Sequence, residues 1–165
     1  GVPFGGLKDH IEKASFRGAT LEFHREVTES VTVGVNVGYS VFYERKDYDS
    51  YTHGTATVTG IQYRYDNVFP MLVNAHYTFG TGSVIPYAGL GIGTVYDLRN
   101  TDMGMYTLES KNWHFLITPE AGLIFDLSAS MSLKLNAKYD NAFKTSDADG
   151  FGNLNINMGF VFNSW

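Results

Sequence analysis

A strict alternation of apolar and polar residues constrains this chain more than any other feature of its sequence. It is clearest over residues 31–44, where the odd positions hold five valines and two tyrosines. The even positions are small or polar, with Phe42 as the apolar exception. Because a strand points successive side chains to opposite faces, this pattern predicts a strand with one bulky apolar face and one small polar face.

Six other segments alternate in the same way, and we find no convincing amphipathic helix. The predicted strands are residues 18–26, 31–44, 69–79, 86–98, 113–127, 131–143 and 153–163. The short connections, rich in Gly, Ser and Thr, are residues 28–30, 80–83 and 128–130. The long polar connections are residues 46–66, 99–112 and 145–151. Short and long connections alternate along the chain, which is typical of an up-and-down antiparallel meander.

Composition narrows the class of protein. The 165 residues fit a single domain, residues 1–165, and the absence of cysteine excludes disulfides and thiolate metal sites. The net charge is −5 and the 12 Lys and Arg residues are scattered, so we expect no nucleic-acid partner. Only 18% of the residues are charged, against about 25% in an ordinary soluble domain.

The sequence predicts no transmembrane helix, because it lacks a stretch of about 18 apolar residues. No basic segment followed by an apolar stretch opens the chain, so we expect that any export signal has been removed. Transmembrane strands need only about ten alternating residues and give a weak hydropathy signal. The mean hydropathy of −0.14 therefore does not discriminate between a soluble protein and a membrane barrel.

The glycines indicate which face of the strands is inside. Those on the polar face of the predicted strands are Gly34, Gly38, Gly89, Gly91, Gly93, Gly122 and Gly159. On the solvent side of a soluble sheet glycine only weakens the strand, whereas in a barrel of about eight strands it makes room in a nearly filled interior. The polar face also carries charges of both signs. We therefore predict an all-β fold, a transmembrane up-and-down antiparallel β-barrel of eight strands, with apolar residues outside and polar residues inside.

Two sets of residues follow from this orientation. We predict a polar network in the lumen, formed by Glu22, His24, Asn36, His76, Glu120, Lys134, Asn136, Lys138 and Asp140. We predict aromatic girdles at the two membrane interfaces, formed by Tyr39, Tyr43, Tyr77, Phe79, Tyr96, Trp113, Phe125, Tyr139, Phe143, Phe160 and Phe162. The girdle residues cluster near strand ends, which strand propensity alone does not explain.

The parity of the strands gives a further expectation. Bacterial single-chain barrels have an even number of strands, and seven are evident. Gly1, Val2 and Pro3 are then the tail of a first strand, and residues 4–16 form its outer loop. We expect a longer gene product with about ten alternately apolar residues before Gly1, or another source for the rest of that strand.

Three motifs resemble those of a known family. Residues 85–93, IPYAGLGIG, resemble the PYxGxGxG strand of small outer-membrane β-barrels in the OmpA/OmpW-like porin family. Residues 119–139 are similar to its penultimate hairpin, and residues 158–162, MGFVF, to the aromatic-terminated strand recognised by the outer-membrane insertion machinery. Segments 4–9 and 112–115 look most like versions from Bacteroidetes-type bacteria. The resemblance covers residues 15–165 and implies architecture rather than one activity.

Three residues depart from the simple strand pattern. Pro70 and Pro119 lie inside predicted strands, where each removes a ladder donor, so we predict bulge or rim positions for them. Trp165 falls in the lumen-facing phase, whereas the family's terminal aromatic residue shares the lipid face. Either the last two residues leave the strand or Phe162 serves as the terminal signal.

Candidate catalytic groups are few. His24, His76 and His114 lie on the predicted lumen face with Glu22 and Glu120. Some eight-stranded outer-membrane barrels are lipid-modifying enzymes, and catalysis there would need a nucleophile, a base and an orienting group. No Ser-His-acid spacing predicts such a set, so we expect these residues to belong to a satisfied interior network.

We expect no metal or cofactor site. The sequence offers Asp147 with Asp149, or Asp47 with Asp49 and His53, in predicted loops. The further ligands and the final Glu of a calcium loop are absent. The repeated glycines of residues 89–93 are not a nucleotide loop, because no helix is predicted after them.

The sequence thus favours a non-enzymatic integral protein of the bacterial outer membrane, with a largely plugged lumen. It would be structural or bind a partner through its extracellular loops, residues 46–66 and 99–112. Its expected partners are outer-membrane lipids, lipopolysaccharide and a protein of an outer-membrane complex. The alternatives are a narrow porin-like channel for small solutes or apolar molecules and, third, a lipid-modifying enzyme.

Overall fold

The computed structural model describes residues 1–5, 8, 11, 13–53, 56–103, 106–128, 130–145 and 148–162, with the backbone alone at 46–53, 56–62, 103 and 106–108. The strands are β1 (Val2–Gly5), β2 (Gly18–Thr28), β3 (Val31–His53), β4 (Ala56–Thr78), β5 (Val84–Met103), β6 (Tyr106–Ser128), β7 (Met131–Ala142) and β8 (Phe151–Phe162). Among these residues, no helix is long and apolar enough to cross a membrane.

All eight strands belong to one antiparallel sheet. From β2 to β8 each strand pairs with the next along the chain, and β1 pairs with β8, which gives the order β1-β8-β7-β6-β5-β4-β3-β2. The predicted all-β, up-and-down fold of eight strands is confirmed. The sheet is not closed, because no ladder joins β1 or β8 to β2 among the described residues. Phe4 and Gly5, predicted as loop, belong to β1.

The four central strands are longer than the alternation predicted. β3 to β6 run for 20 to 23 residues each, so the prediction of loops over residues 46–66 and 99–112 was wrong. Residues 46–66 belong to one long hairpin, β3–β4, and residues 99–112 to a second, β5–β6. Pairing continues to His53↔Ala56 in the first and to Met103↔Tyr106 in the second. A two-stranded ribbon beyond the main sheet does not need one apolar face, so the alternation fades although Tyr, Thr and Val still favour strands.

The turn between β4 and β5 requires glycine. Gly80 and Gly82 have φ values of +91° and +144°, in the region that L side chains rarely adopt. This sharp turn keeps β4 and β5 in direct pairing from Thr78↔Tyr87 onward. The short connection at residues 80–83 is therefore a turn, as its composition predicted.

The sheet curls so that its polar face is enclosed and its apolar face is outside. Val35, Val73 and Ile92 lie opposite one another on three neighbouring strands, and all three are exposed. The adjacent residues Asn36 and Asn74 point the other way and are buried. This arrangement is the reverse of a soluble β-sandwich, in which the apolar faces meet in the core.

The enclosed side also contains an apolar cluster. Its buried members are Ile11, Phe42, Val68, Leu72, Val95, Leu116, Ala142 and Phe151. Phe42, the exception in the alternation of β3, is completely buried here. Ile11, from the connection between β1 and β2, is also completely buried and extends the cluster. The interior therefore combines an apolar cluster with the polar side chains described below.

Inward glycines allow the strands to curve tightly. A Cβ atom on Gly93 would overlap the carbonyl oxygen of Met71, and one on Gly34 would overlap that of Phe23. At Gly89 the added atom would overlap His76 instead, so this glycine makes room for an interior side chain. The inward glycines thus provide space for the polar interior, as predicted, and also allow close approach of neighbouring strands, which was not predicted.

The prolines do not mark bulges. The β3–β4 ladder is interrupted around Pro70 and the β6–β7 ladder around Pro119, yet the register is the same on both sides of each interruption. Register shifts occur instead at Glu26/Thr28, Lys46/Asp49 and Asp126/Ser128. The bulge prediction was wrong because a missing donor interrupts a ladder without adding a residue to either strand.

Candidate functional site

The candidate site is the polar interior, and Glu22 of β2 is its first centre. Lys134 Nζ lies 2.6 Å from Glu22 Oε2, and Lys138 donates to Glu22 Oε1. Asn36 Nδ2 donates to the same Oε1 atom at 2.8 Å. Because the two lysines are on β7, these contacts span the interior between strands that are distant in the sheet order.

Glu120 of β6 is the second centre. Its carboxylate lies 3.1 Å from Lys138 Nζ and 3.6 Å from Lys134 Nζ, and its Oε1 is 2.6 Å from His76 Nε2. The Glu120 and Lys138 side chains are almost fully buried. Two carboxylates and two ammonium groups therefore form a charge-balanced cluster, the arrangement that removal from water demands. We call Glu22, Glu120, Lys134 and Lys138 the ionic cluster.

Two of the three histidines predicted on the lumen face border the ionic cluster. His24 Nε2 is 3.2 Å from Glu22 Oε2, and the His24 and His76 rings are 4.3 Å apart. His114 is in a different environment, where Nδ1 is 3.0 Å from the carbonyl oxygen of Phe143. The structure therefore brings His24 and His76 together and leaves His114 apart. The carboxylates beside the paired imidazoles are already held by lysines, as expected for a structural network.

Amides extend the network along β7 and β8. Asn136 Nδ2 donates to the Tyr87 hydroxyl at 2.9 Å, and Asn157 Nδ2 donates to Asn136 Oδ1 at 3.1 Å. Asp140 accepts from the Thr118 hydroxyl and from Asn155 Nδ2, both at 2.7 Å. All nine side chains of the predicted lumen network point to the interior and contact at least one other interior group.

A second interior group was not predicted. The Asp66 and Asp97 carboxylates are completely buried, with Arg99 Nε 3.3 Å and 2.7 Å from their respective Oδ2 atoms. The Arg99 guanidinium also lies over the Phe151 ring, 5.7 Å from its centroid. Asp66 and Arg99 were missed because the two predicted strands, residues 69–79 and 86–98, begin after Asp66 and end before Arg99. The parity of Tyr87 on β5 continues to Arg99, and the parity of His76 on β4 continues to Asp66, so the same alternation could have identified both.

The aromatic side chains form a row on the outer surface. Tyr39 stacks on Phe69 at 4.8 Å, Phe69 is 6.2 Å from Tyr96, and Tyr96 is 5.0 Å from Trp113. The row crosses β3 to β6, and the Tyr39 hydroxyl donates to Asn67 Oδ1 at 2.9 Å. Further pairs nearby on the outer surface are Phe115–Phe143, Phe4–Tyr139 and Tyr43–Tyr65.

A second group of predicted girdle residues lies near the short turns. Tyr77 and Phe79 are in edge contact at 5.0 Å, at the end of β4. Phe125 is opposite Leu133 and next to the β6–β7 turn. Phe160 and Phe162 lie at the end of β8, and both are exposed. The outward aromatic residues therefore fall at two levels with aliphatic side chains between them.

Several predictions fall on residues outside the described set. These are Asp147, Trp165 and the side chains of Asp47, Asp49 and His53. Asp149 is described and fully exposed, with Lys144 Nζ 2.7 Å from its Oδ1. This hydrogen bond lowers the pKa of Asp149 and raises the pKa of Lys144. Of the predicted pair Asp147 and Asp149, the structure describes only Asp149, and its carboxylate already accepts a hydrogen bond from Lys144.

The comparisons with known proteins give no assignment. No protein-family model matches the chain, and no curated protein sequence is significantly similar to it. The resemblance to the OmpA/OmpW-like porin family therefore stays a prediction.

Proposed function

We propose that this chain is an integral β-barrel of the bacterial outer membrane, with a largely plugged lumen and a structural or partner-binding role. One observation carries the proposal: large apolar side chains cover the outside of the sheet while paired charges are enclosed. Burying four charged side chains and exposing valine, leucine and phenylalanine would be unfavourable in water. In a bilayer the same arrangement is favourable, because lipid contacts the apolar face and strands β3 to β7 pair with a neighbour on both edges.

The spacing of the aromatic levels supports a membrane location. Phe69 belongs to the aromatic row and Phe79 to the level near the turns, ten residues further along the chain. At about 3.3 Å per residue and a strand tilt of about 40°, these residues are separated by about 25 Å along the barrel axis. This height equals the apolar band of outer-membrane barrels, about 25 Å between two aromatic girdles.

The contents of the interior favour a plugged lumen over a channel. The apolar cluster around Phe42 and Leu116 and the ionic cluster are both enclosed by the sheet. An eight-stranded barrel has an interior that side chains nearly fill. A solute would therefore have to displace buried ion pairs as well as apolar side chains in order to pass.

The two long hairpins are the surfaces that we propose for a partner. β4 begins at Ala56, thirteen residues before Phe69 of the aromatic row. At about 3.3 Å per residue, this part of the hairpin is about 40 Å long. A membrane anchor alone does not require such ribbons, and exposed connections are the usual place for recognition. The preference for a binding role over a purely structural one rests on these ribbons.

The family proposal rests on motif and topology together. The predicted motif at residues 85–93 lies on β5, with its glycines facing the interior beside His76 and Leu72. Eight up-and-down antiparallel strands also agree with an OmpA/OmpW-like barrel of a Gram-negative cell envelope. We include membership in that porin family in the proposal.

Two measurements, one on refolded protein and one in cells, test the proposed function. The protein is refolded into lipid vesicles and then fused to a planar bilayer, where a plugged barrel gives no stable conductance steps. In cells, an epitope inserted after His53, at the β3–β4 tip, should bind antibody without permeabilisation. Stable open steps would favour the narrow channel instead. An epitope reached only after permeabilisation would contradict the extracellular placement of the hairpins.

A further inference from the structure

The two edges of the sheet leave a gap between β2 and β8. β1 pairs with β8 only from Val2↔Leu154 to Gly5↔Phe151. Residues 155–162 of β8 are therefore paired on one edge, toward β7. β2 likewise pairs with β3 and with no other strand in the part of the chain that the structure describes. Unpaired edges present rows of N–H and C=O groups that can accept another strand.

The outward side chains beside this gap are more exposed than those elsewhere on the sheet. Leu21 and Phe23 of β2 are 79% and 71% exposed, and Ile156 and Met158 of β8 are each 75% exposed. On strands β3 to β7, which have neighbours on both sides, the most exposed large apolar side chain described is Val73, at 59%. The excess on β2 and β8 is the area that an intervening strand would cover.

The interior is also incompletely filled on this side. A cavity of about 270 Å³ is lined by both edges, including Gly18 and Thr20 of β2 and Asn157 of β8. Asn153 lines the same cavity, and its Oδ1 atom is buried without a hydrogen-bond partner among the described residues. A Cβ atom on Gly159 would meet nothing within 4 Å, unlike those on the crowded inward glycines.

We propose that the gap is a strand-accepting site whose occupant is an extended segment joined to Gly1. Such a segment continues β1 along β8, so it is antiparallel to β8 and to β2 alike. The existing β1–β8 register places its first position before Gly1 opposite Ile156, and its third opposite Met158. The β1–β8 ladder is the reason to choose a joined segment over a free peptide or a second copy, because it already aligns the backbone at Gly1.

The register also sets the chemistry of the occupant. Val2 is exposed on the outer face beside Leu154, so odd positions before Gly1 face outward and even positions face the cavity. Odd positions should therefore be apolar, to continue the surface of Phe23 and Met158. Even positions should be small or polar, because Asn153 and Asn157 line the cavity. This proposal rests on the strand edges and does not require the membrane location proposed above.

Two extended proteins test the proposal. Both carry seven residues before Gly1 and the substitution Met158→Cys, with a cysteine at the third added position. In the in-phase protein the other odd positions are valine and the even positions are serine. In the shifted control the other odd positions are serine and the even positions are valine. The native chain has no cysteine, so only the introduced pair can react. Both proteins are refolded in detergent micelles and treated with a short bis-alkylating reagent.

The expected result is efficient cross-linking of the in-phase protein and loss of the cross-link in the shifted control. Opposed side chains of an antiparallel pair face the same side at a Cβ separation of about 5 Å, which the reagent spans. Equal cross-linking in both proteins, or none in the in-phase protein, would overturn the proposal. Vesicle insertion of the unmodified chain is measured separately, so a failure of the membrane proposal is distinguishable from a failure of the strand site.

Discussion

At the scale of single residues, the molecule depends on charges that are enclosed together. Glu22 and Glu120 share Lys134 and Lys138, so each carboxylate holds two ammonium groups. Removing one member of such a cluster leaves its partners desolvated and poorly paired, which costs more than the pair contributed. The interior polar groups are therefore most simply explained as a network that fixes how the strands meet.

Glu120→Gln tests this network. We expect the substitution to lower the free energy of unfolding by about 3 kcal/mol, because Lys138 loses one of its two buried carboxylates. The matched control is Glu109→Gln, at an exposed carboxylate that pairs with Lys111 on the β5–β6 hairpin. The control should change stability little, since exposed pairs contribute little. Urea unfolding in lipid vesicles, followed by tryptophan fluorescence, measures both, and equal effects would contradict the account.

A glycine pair tests the close approach of the strands. Gly93→Ala should destabilise the protein by about 1–3 kcal/mol, because the new methyl group overlaps the backbone at Met71. Gly159→Ala should stay within about 0.5 kcal/mol of the parent, because nothing lies within 4 Å of its added atom. The same unfolding measurement compares them. A neutral Gly93→Ala would show that the strands separate easily and that curvature does not depend on this glycine.

The sequence predicted which residues face inward but not which of them meet. Parity places Glu22 and Lys138 on the same face, yet they are 116 residues apart and make contact only through the register of the intervening ladders. The pairing of His24 with His76, and the separation of His114, depend on that register as well. Polarity sets the face of a residue, whereas strand stagger around the sheet sets its partners.

At the scale of the elements, the predicted strands were right in number and too short in the middle of the chain. Alternation arises where one face of a strand is enclosed and the other meets an apolar surrounding. Beyond Asp66 and Arg99 that contrast ends. β4 and β5 stay paired only as far as Tyr63↔Asp102, and farther out the pairing of β3 with β4 or of β5 with β6 alone maintains the strand. Residues 46–66 and 99–112 therefore lacked the pattern that identified the other strands, although they contain strand-favouring residues.

Shortening one hairpin separates binding from folding. Lys46 and Gln62 are paired directly, so residues 47–61 can be replaced by an Asn-Gly turn. We expect the unfolding midpoint in vesicles to stay near that of the parent, because the interior clusters are untouched. Binding of a partner, once identified by cross-linking on intact cells, should be lost. A large drop in stability would show that the hairpin belongs to the folding core instead.

At the scale of the whole molecule, the defining feature is an apolar outer surface around an interior that contains charged side chains. The outer surface carries aliphatic side chains between two aromatic levels, and the interior carries an ionic cluster beside an apolar one. The glycines and the low fraction of charged residues predicted this orientation from the sequence. Two features were missed: the buried Asp66–Asp97–Arg99 group, which lies where the strands were predicted to end, and the entry of Ile11 into the apolar cluster, which no local pattern predicts.

The most direct test of the central claim measures what surrounds the outer face. A single cysteine introduced by Val73→Cys, midway between the aromatic levels, is labelled with an environment-sensitive fluorophore, and Glu109→Cys on the exposed hairpin provides the control. In vesicles containing lipids brominated in mid-chain, we predict strong quenching of the probe at position 73 and almost none at position 109. A folded protein that stays dissolved without detergent, with the probe at position 73 unquenched by these lipids, would contradict the account.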